Sequence, residues 1–300
     1  MPELPDVLLY LHALQPRVVG QRVTRVRLAS PFLVRSIDPP LSAIEGRRIV
    51  ALRRLGKRIV FEAEGDMFLV FHLMIAGRFR WKPPGSSIPG KVGLLAIDFD
   101  HGTLVMTEAG TKKQASLHVV AGRAALAQHD RGGLEVLETD LPAFRDVLQR
   151  ENHTLKRALT DPHLFSGIGN AYSDEILHAA RLSPFKVTTS LTDEEVRRLF
   201  EATRSTLSTW IAQLREEAAG GFPEKVTAFH QGMAVHGRFG KPCPDCGSPV
   251  QRVVYAANEA NYCATCQTGG RLLADRSLSR LLRGDWPRSL EELERRRKGA

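Results

Sequence analysis

Cysteine is scarce in this chain and confined to one place: there are 4 among 300 residues, and none occurs before Cys243. A disulfide framework for the bulk of the fold is therefore excluded. No apolar run approaches the roughly 20 residues that a membrane-spanning helix needs. No internal repeat or low-complexity tract is visible, so neither a solenoid nor a disordered linker is expected. Acidic residues are outnumbered, 33 Asp and Glu against 42 Lys and Arg, and the net charge of +9 with a pI near 9.7 favours a polyanionic partner, nucleic acid first. A basic surface with no committed partner would show the same balance. At 43% hydrophobic residues the chain can bury two domain cores and carry a small third module. No secretory leader is visible, and a soluble cytoplasmic protein is expected, nucleoid-associated if bacterial.

What cysteine there is has a pattern. Cys243, Cys246, Cys263 and Cys266 form two C-x2-C pairs sixteen residues apart, the spacing of one tetrahedral four-thiolate zinc site. Each pair is read as a tight turn, around Pro244-Asp245 and Ala264-Thr265, with a strand over Val250–Tyr255 between them. One structural Zn2+ pinning a β-hairpin follows. Two disulfides in an exported protein would use the same residues, but the cysteine-free remainder argues for the metal.

The rest of the chain divides by texture. Pro5–Leu14 reads as a helix, with Asp6 as its cap and Val7, Leu8, Leu11 and Leu14 on one side. Short β-rich runs follow at Val23–Leu28, Arg48–Leu52, Ile59–Ala63, Phe68–Leu73, Leu94–Phe99, Leu104–Thr107 and Leu117–Val120. Without helical crossovers between them, these predict a β-sandwich or flattened barrel. Gly122–Gly133 reads as a hinge. Beyond it the period turns helical, over Pro142–Arg150, Thr154–Leu159, Ala171–Arg181 and Asp193–Ala219, the last opened by a Thr192-x-x-Glu195 capping box. The glycine turn Gly167-Ile168-Gly169-Asn170 feeds a helix N-terminus that Asn170 can cap, and such a turn offers backbone amides to a phosphate; turns of this kind also simply connect helices. The predicted class is an α+β multidomain chain: a β-sandwich with its N-terminal helix over 1–125, a helical domain over 134–230, a zinc finger over 236–270 and a basic extension over 271–300. In that extension a short helix is expected at Ser277–Leu282, and Arg295-Arg296-Arg297-Lys298 reads as a solvated tail.

Met1-Pro2-Glu3-Leu4-Pro5-Asp6 carries chemistry of its own. Methionine before proline is ordinarily removed, leaving Pro2 as a secondary amine. An α-amino group has a pKa of about 7.7 to 8, so a neutral, nucleophilic fraction exists near pH 7. Attack on an aldehydic carbon gives an iminium ion, an electron sink for elimination, and Glu3 is a carboxyl group placed to move protons. An ordinary leader into the first helix would look the same if the hexapeptide stood alone.

It does not stand alone. Pro2-Glu3-Leu4-Pro5, Gly56-Lys57, His72-Leu73, Gly167 to Glu175 and Cys243 to Gln267 occur in one order and spacing, and over residues 1 to about 270 the chain resembles the formamidopyrimidine-DNA glycosylase and endonuclease VIII family. The resemblance implies an N-terminal β-sandwich, a helix-two-turn-helix domain, a zinc finger, and damaged DNA as partner in the cleft between them. It implies a base-excision-repair enzyme that removes damaged bases, hydrolysing the N-glycosyl bond, and cleaves the abasic site by β-elimination. It makes Pro2 the Schiff-base nucleophile at C1′, Glu3 the proton donor that opens the sugar, and Lys57 the lysine that holds a phosphate and assists elimination. Asn170 becomes the turn residue gripping the DNA backbone and His72 a sheet residue near DNA. The ribbon would hold a hairpin beside the extruded base. A monomer with no small-molecule cofactor is expected.

Several positions depart from the family pattern. Asp6 replaces a glutamate, one methylene shorter. Ile75 stands at the void-filling methionine's position, with Met74 one place earlier. Thr107–Gln114 holds no arginine and no aromatic wedge for the widowed base. Asn258 occupies the place of the ribbon's phosphate-gripping arginine, and spacing does not show whether nearby Arg252 or another residue replaces it. Two alternatives stay open: a non-catalytic DNA-binding protein of the same fold, and a glycosylase directed at single-stranded or bulky-lesion DNA.

Overall fold

The computed structural model describes residues 1–255, 258–274 and 287–298, and the helix expected at Ser277–Leu282 lies outside them. The chain forms two compact units, Met1–Gly133 with Thr209–Ala228, and Leu134–Ser208 with Phe229 onward. No described helix is long and apolar enough to cross a membrane.

The first unit opens with α1 (Leu4–Val18), whose Leu4, Val7, Tyr10, Leu14 and Val18 are buried at helical spacing. Eight strands follow: β1 (Arg25–Leu28), β2 (Ile49–Leu55), β3 (Arg58–Ala63), β4 (Met67–His72), β5 (Gly77–Lys82), β6 (Gly93–Phe99), β7 (Gly102–Glu108) and β8 (Ser116–Ala121). They make two antiparallel four-stranded sheets, β1-β6-β7-β5 and β2-β3-β4-β8. Strand β5 is absent from the runs predicted above, although Phe79 and Trp81 alternate there with Arg78 and Arg80 at the strand period. Phe61, Phe71 and Phe79 meet edge to face or tilted at 5.2–6.4 Å, and Tyr10 joins them, its ring 5.5 Å from Phe79. Each buried aromatic contributes about 1.5–3 kcal/mol relative to exposure. The Phe79 N–H donates to Tyr10 Oη at 3.2 Å, which fixes α1, and so the chain's start, against the sheets. The segment read as a hinge contains the short helix α2 (Arg123–Ala127).

In the second unit α3 (Leu141–Gln149) starts one residue before the predicted boundary, because Asp140 caps it by accepting the Ala143 N–H at 3.0 Å. Then come α4 (Leu155–Thr160), α5 (Asn170–Ala179) and α6 (Asp193–Ala218), whose residues from Thr209 on belong to the first unit. The capping box at α6 is formed: Thr192 N–H reaches Glu195 at 2.9 Å, and Glu195 N–H reaches Thr192 Oγ1 at 3.2 Å. Phe144 packs on Phe165 and Phe200 in the core. The ribbon hairpin is β9 (Gln251–Tyr255) paired with β10 (Asn258–Tyr262). The second cysteine pair sits on a short helix, α7 (Ala264–Thr268), capped by Cys263, rather than on a plain turn.

Within the terminal basic run Arg295 is exposed, as a solvated segment requires. The run lies in a helix, Leu290–Lys298, and Leu290 and Leu293 pack with Phe185 against Val253, Tyr262, Ala264 and Leu272.

Candidate active site and zinc centre

The first turn of α1 holds the chain's start in place. Glu3, not Asp6, is the N-cap, and Asp6 at the third helical position accepts the Glu3 N–H at 2.8 Å, the two closing a reciprocal capping box. The shorter carboxylate therefore still reaches. Pro2 is buried, Glu3 is 2% exposed and Asp6 is fully buried. Burial pushes the Met1 amino group below its ordinary range; Arg78 and Lys57 act in the same direction, while Glu3 and Asp6 oppose them. The first unit thus brings Glu3 and Lys57 into electrostatic range of the terminus, together with Arg78, which the sequence reading missed along with its strand.

Lys57 is half-buried on the β2–β3 turn, where Gly56 adopts φ +59°. In the neighbouring register Arg58 pairs with His72, the last residue of β4. Burial, then Arg58, Lys57, Arg131 and His118, hold His72 down at about 4, so its imidazole is neutral at pH 7. After His72 the chain turns sharply: Gly77 N–H donates to Leu73 O at 2.9 Å, and a Cβ at Gly77 would lie 2.2 Å from that oxygen. Met74 takes φ +53° within this turn. Its tip presents Ile75, 62% exposed, and Arg78 donates to Ile75 O at 3.0 Å and Gly77 O at 2.7 Å.

The loop after β7 is closed by Glu108, 1% exposed, whose carboxylate accepts the backbone N–H groups of Gln114 and Ala115 at 3.0–3.3 Å. Lys113 Nζ donates to Glu108 O.

In the second unit Asn170 is the first residue of α5 and Gly169 is the N-cap, so Asn170 does not cap the helix as its sequence suggests. Gly167, at φ +81°, makes the approach to the helix tight. Helix α5 is buried on nearly every side, including Ser173, Asp174, Glu175 and His178. Asn258 opens β10, and its side chain lies outside the described residues. Arg252 lies over the Phe239 ring at 4.8 Å, with Glu259 at 3.9 Å.

The four cysteine sulfurs lie within 4.8 Å of one another, with Cys246 and Cys263 at 3.4 Å and Cys243 and Cys266 at 4.0 Å. A tetrahedron with Zn–S bonds of about 2.3 Å has S···S edges of about 3.8 Å, so the set fits zinc. Burial pushes the Cys263 thiol up to about 11 and Cys266 higher, so a cation is needed for all four to stand as thiolates. His178 Nε2 lies 3.3 Å from Cys243 Sγ, a contact that orients the ligand from outside. One structural zinc belongs to this site; sequence reasoning found its ligands but not His178, which only the fold brings near.

Residues 1–119 match the family model of the formamidopyrimidine-DNA glycosylase N-terminal domain, residues 134–217 that of its H2TH domain, and residues 240–269 that of the zinc finger found in FPG and IleRS. The formamidopyrimidine-DNA glycosylase of Thermus thermophilus is 34% identical over 286 residues, covering 90% of this chain and 100% of the relative. That of Heliobacterium modesticaldum is 33% identical over 279 residues, covering 89% and 100%. Lactococcus lactis Fpg, solved in complex with DNA containing an abasic site, superposes with a TM-score of 0.79 at 26% identity, covering 89% of this chain and 99% of that one. The chain belongs to the formamidopyrimidine-DNA glycosylase family.

Proposed function

We propose that this protein is a base-excision-repair DNA glycosylase that removes damaged bases, oxidised ones first, and cleaves the resulting abasic site as a lyase. One observation carries the reading: the chain start is buried, Pro2 and Glu3 together, with Lys57 in electrostatic range of the terminus. Removal of Met1 leaves the Pro2 secondary amine there, and an α-amino group with a pKa of about 7.7–8 has a nucleophilic fraction near neutral pH.

Once Met1 is removed, Pro2 nitrogen attacks C1′ of the damaged nucleotide, the C1′–base bond breaks and the nitrogen loses its proton. Glu3 delivers a proton to the sugar ring oxygen, which opens the ring and leaves an iminium ion at C1′. Loss of a C2′ proton then expels the 3′ phosphate, with Lys57 stabilising its charge. Water hydrolyses the iminium and regenerates the amine. Asn170, His72 and the basic surface hold the backbone, and Ile75 fills the gap left by the extruded nucleotide. The zinc holds the ribbon as a rigid contact and takes no part in the bond-making steps. The non-catalytic alternative leaves the buried Pro2-Glu3 start without a purpose.

The absence of an aromatic or arginine in the Glu108-tied loop favours a substrate whose opposite strand is poorly probed, including single-stranded or bubble DNA. With DNA as its substrate the protein would act in the cytoplasm, at the nucleoid if its source is bacterial. The test is incubation with oligonucleotides carrying oxidised purines or pyrimidines, in duplex and single-stranded form. Base release followed by strand cleavage at the same site supports the reading. Duplex binding with neither event on any lesion contradicts it.

A further inference from the structure

Helix α5 carries a line of buried polar side chains that an ordinary connecting helix does not need. Asp174 is at its centre. Its Oδ1 accepts from Lys156 Nζ at 2.5 Å, and the same ammonium donates to Asn170 O at 2.5 Å. Its Oδ2 lies 2.8 Å from His236 Nδ1 and accepts from Asn261 Nδ2 at 3.1 Å. Lys156, Asp174 and Asn261 are each about 1% exposed and His236 is 5% exposed. Asn261 is on β10, two residues before the zinc ligand Cys263. The next residue, Glu175, accepts the backbone N–H groups of Ala234, Val235 and His236 at 2.6–3.0 Å, and one turn on from Asp174 His178 meets Cys243.

We propose that Asp174 is the positioning residue through which the zinc ribbon sets the Asn170 turn. The path is continuous: ribbon strand, Asn261 and His236, the Asp174 carboxylate, the Lys156 ammonium, and the Asn170 carbonyl. A buried carboxylate has strongly directional partners, and a dry interior strongly disfavours leaving one unmatched. If the ribbon moves, Oδ2 loses two of its partners; the carboxylate then turns, and Lys156 no longer clamps the first residue of α5. The metal thereby controls the Asn170 turn through side chains that are not its ligands. This rests on the reading of Asn170 as a backbone contact, and it makes zinc binding and DNA binding thermodynamically coupled, each strengthening the other by the same factor.

The experiment uses the full-length zinc protein, a duplex with a stable abasic-site analogue, and a chromogenic chelator that reports zinc loss. Duplex is expected to slow zinc loss from the wild type by about 5- to 150-fold, the ordinary range of coupling between two sites. Asp174→Asn should keep one zinc per chain but lose most of that protection and bind duplex more weakly. Asn261→Ser cuts only the ribbon end and leaves the Lys156–Asp174 pair intact, so it carries the same expectation if Asp174→Asn folds poorly. In the Asn170→Ala background neither change should weaken duplex binding further. Protection that survives in Asn261→Ser, or effects that multiply with Asn170→Ala, would overturn the proposal. Duplex affinity unchanged by Asn170→Ala alone would remove the reading of Asn170 as a contact, and the coupling with it, while leaving the glycosylase activity to be judged by base release.

Discussion

The buried carboxylate of Glu108 accepts the Gln114 backbone N–H at 3.0 Å, and this pairing shapes the loop on which the family's widowed-base reader would stand. The loop has no arginine or aromatic, and its Lys113 donates back to Glu108 O. A bidentate base contact contributes about 1–3 kcal/mol of discrimination, and a single lysine lacks the planar fork to supply it. Single-turnover rates on one lesion opposite each of the four bases should therefore fall within about tenfold of one another. A spread of a hundredfold or more, the upper part of the range expected of a good base contact, would reveal a reader elsewhere.

Lys57 and His72 should separate in their salt dependence. Each cationic phosphate contact contributes about 0.9 to the log–log slope of affinity against salt. Lys57→Ala should make the slope shallower by about one. His72 is held at about 4 and is neutral at pH 7.5, so His72→Gln should weaken duplex binding while leaving the slope unchanged. A slope lowered equally by both would mean that DNA protonates the imidazole.

Removal of zinc should unfold the ribbon. Structural zinc contributes about 10–16 kcal/mol of apparent stabilisation in finger peptides at neutral pH, and here four sulfurs, those of Cys243 and Cys263 on buried residues, surround the one position. Chelation or Cys263→Ser should abolish duplex binding, while amide exchange in the β1–β8 sheets stays slow. One zinc per chain by metal analysis is the companion expectation.

Much of this was legible in the sequence because its signals are local. The cysteine spacing, the Thr192–Glu195 box and seven of the eight sandwich strands each depend on residues within a few positions of one another. Strand β5 escaped, although Arg78 and Arg80 alternate with Phe79 and Trp81, because its two apolar residues make only a short run, and with it went Arg78 as a neighbour of the amine. His236 and His178 carry no motif, and Asp174 lies in the Gly167–Glu175 stretch with no partner named there; they become a network only when α5 is packed against the ribbon. The basic run at Arg295 is solvent-facing as its composition says, but the composition hides that it continues a helix which Leu290 and Leu293 at i, i+3 dock.

The central claim is that the chain's own amino terminus is the nucleophile, and borohydride trapping on an abasic-site duplex tests it most directly. The expected result is a covalent adduct that peptide mapping assigns to Pro2. Its yield should rise with pH as the amine loses its proton, over the ordinary α-amine range of about 7.7–8. Retained Met1 or Pro2→Gly should reduce the adduct strongly. An adduct of undiminished yield from protein with a blocked amino terminus, or one mapping to Lys57, would contradict the account.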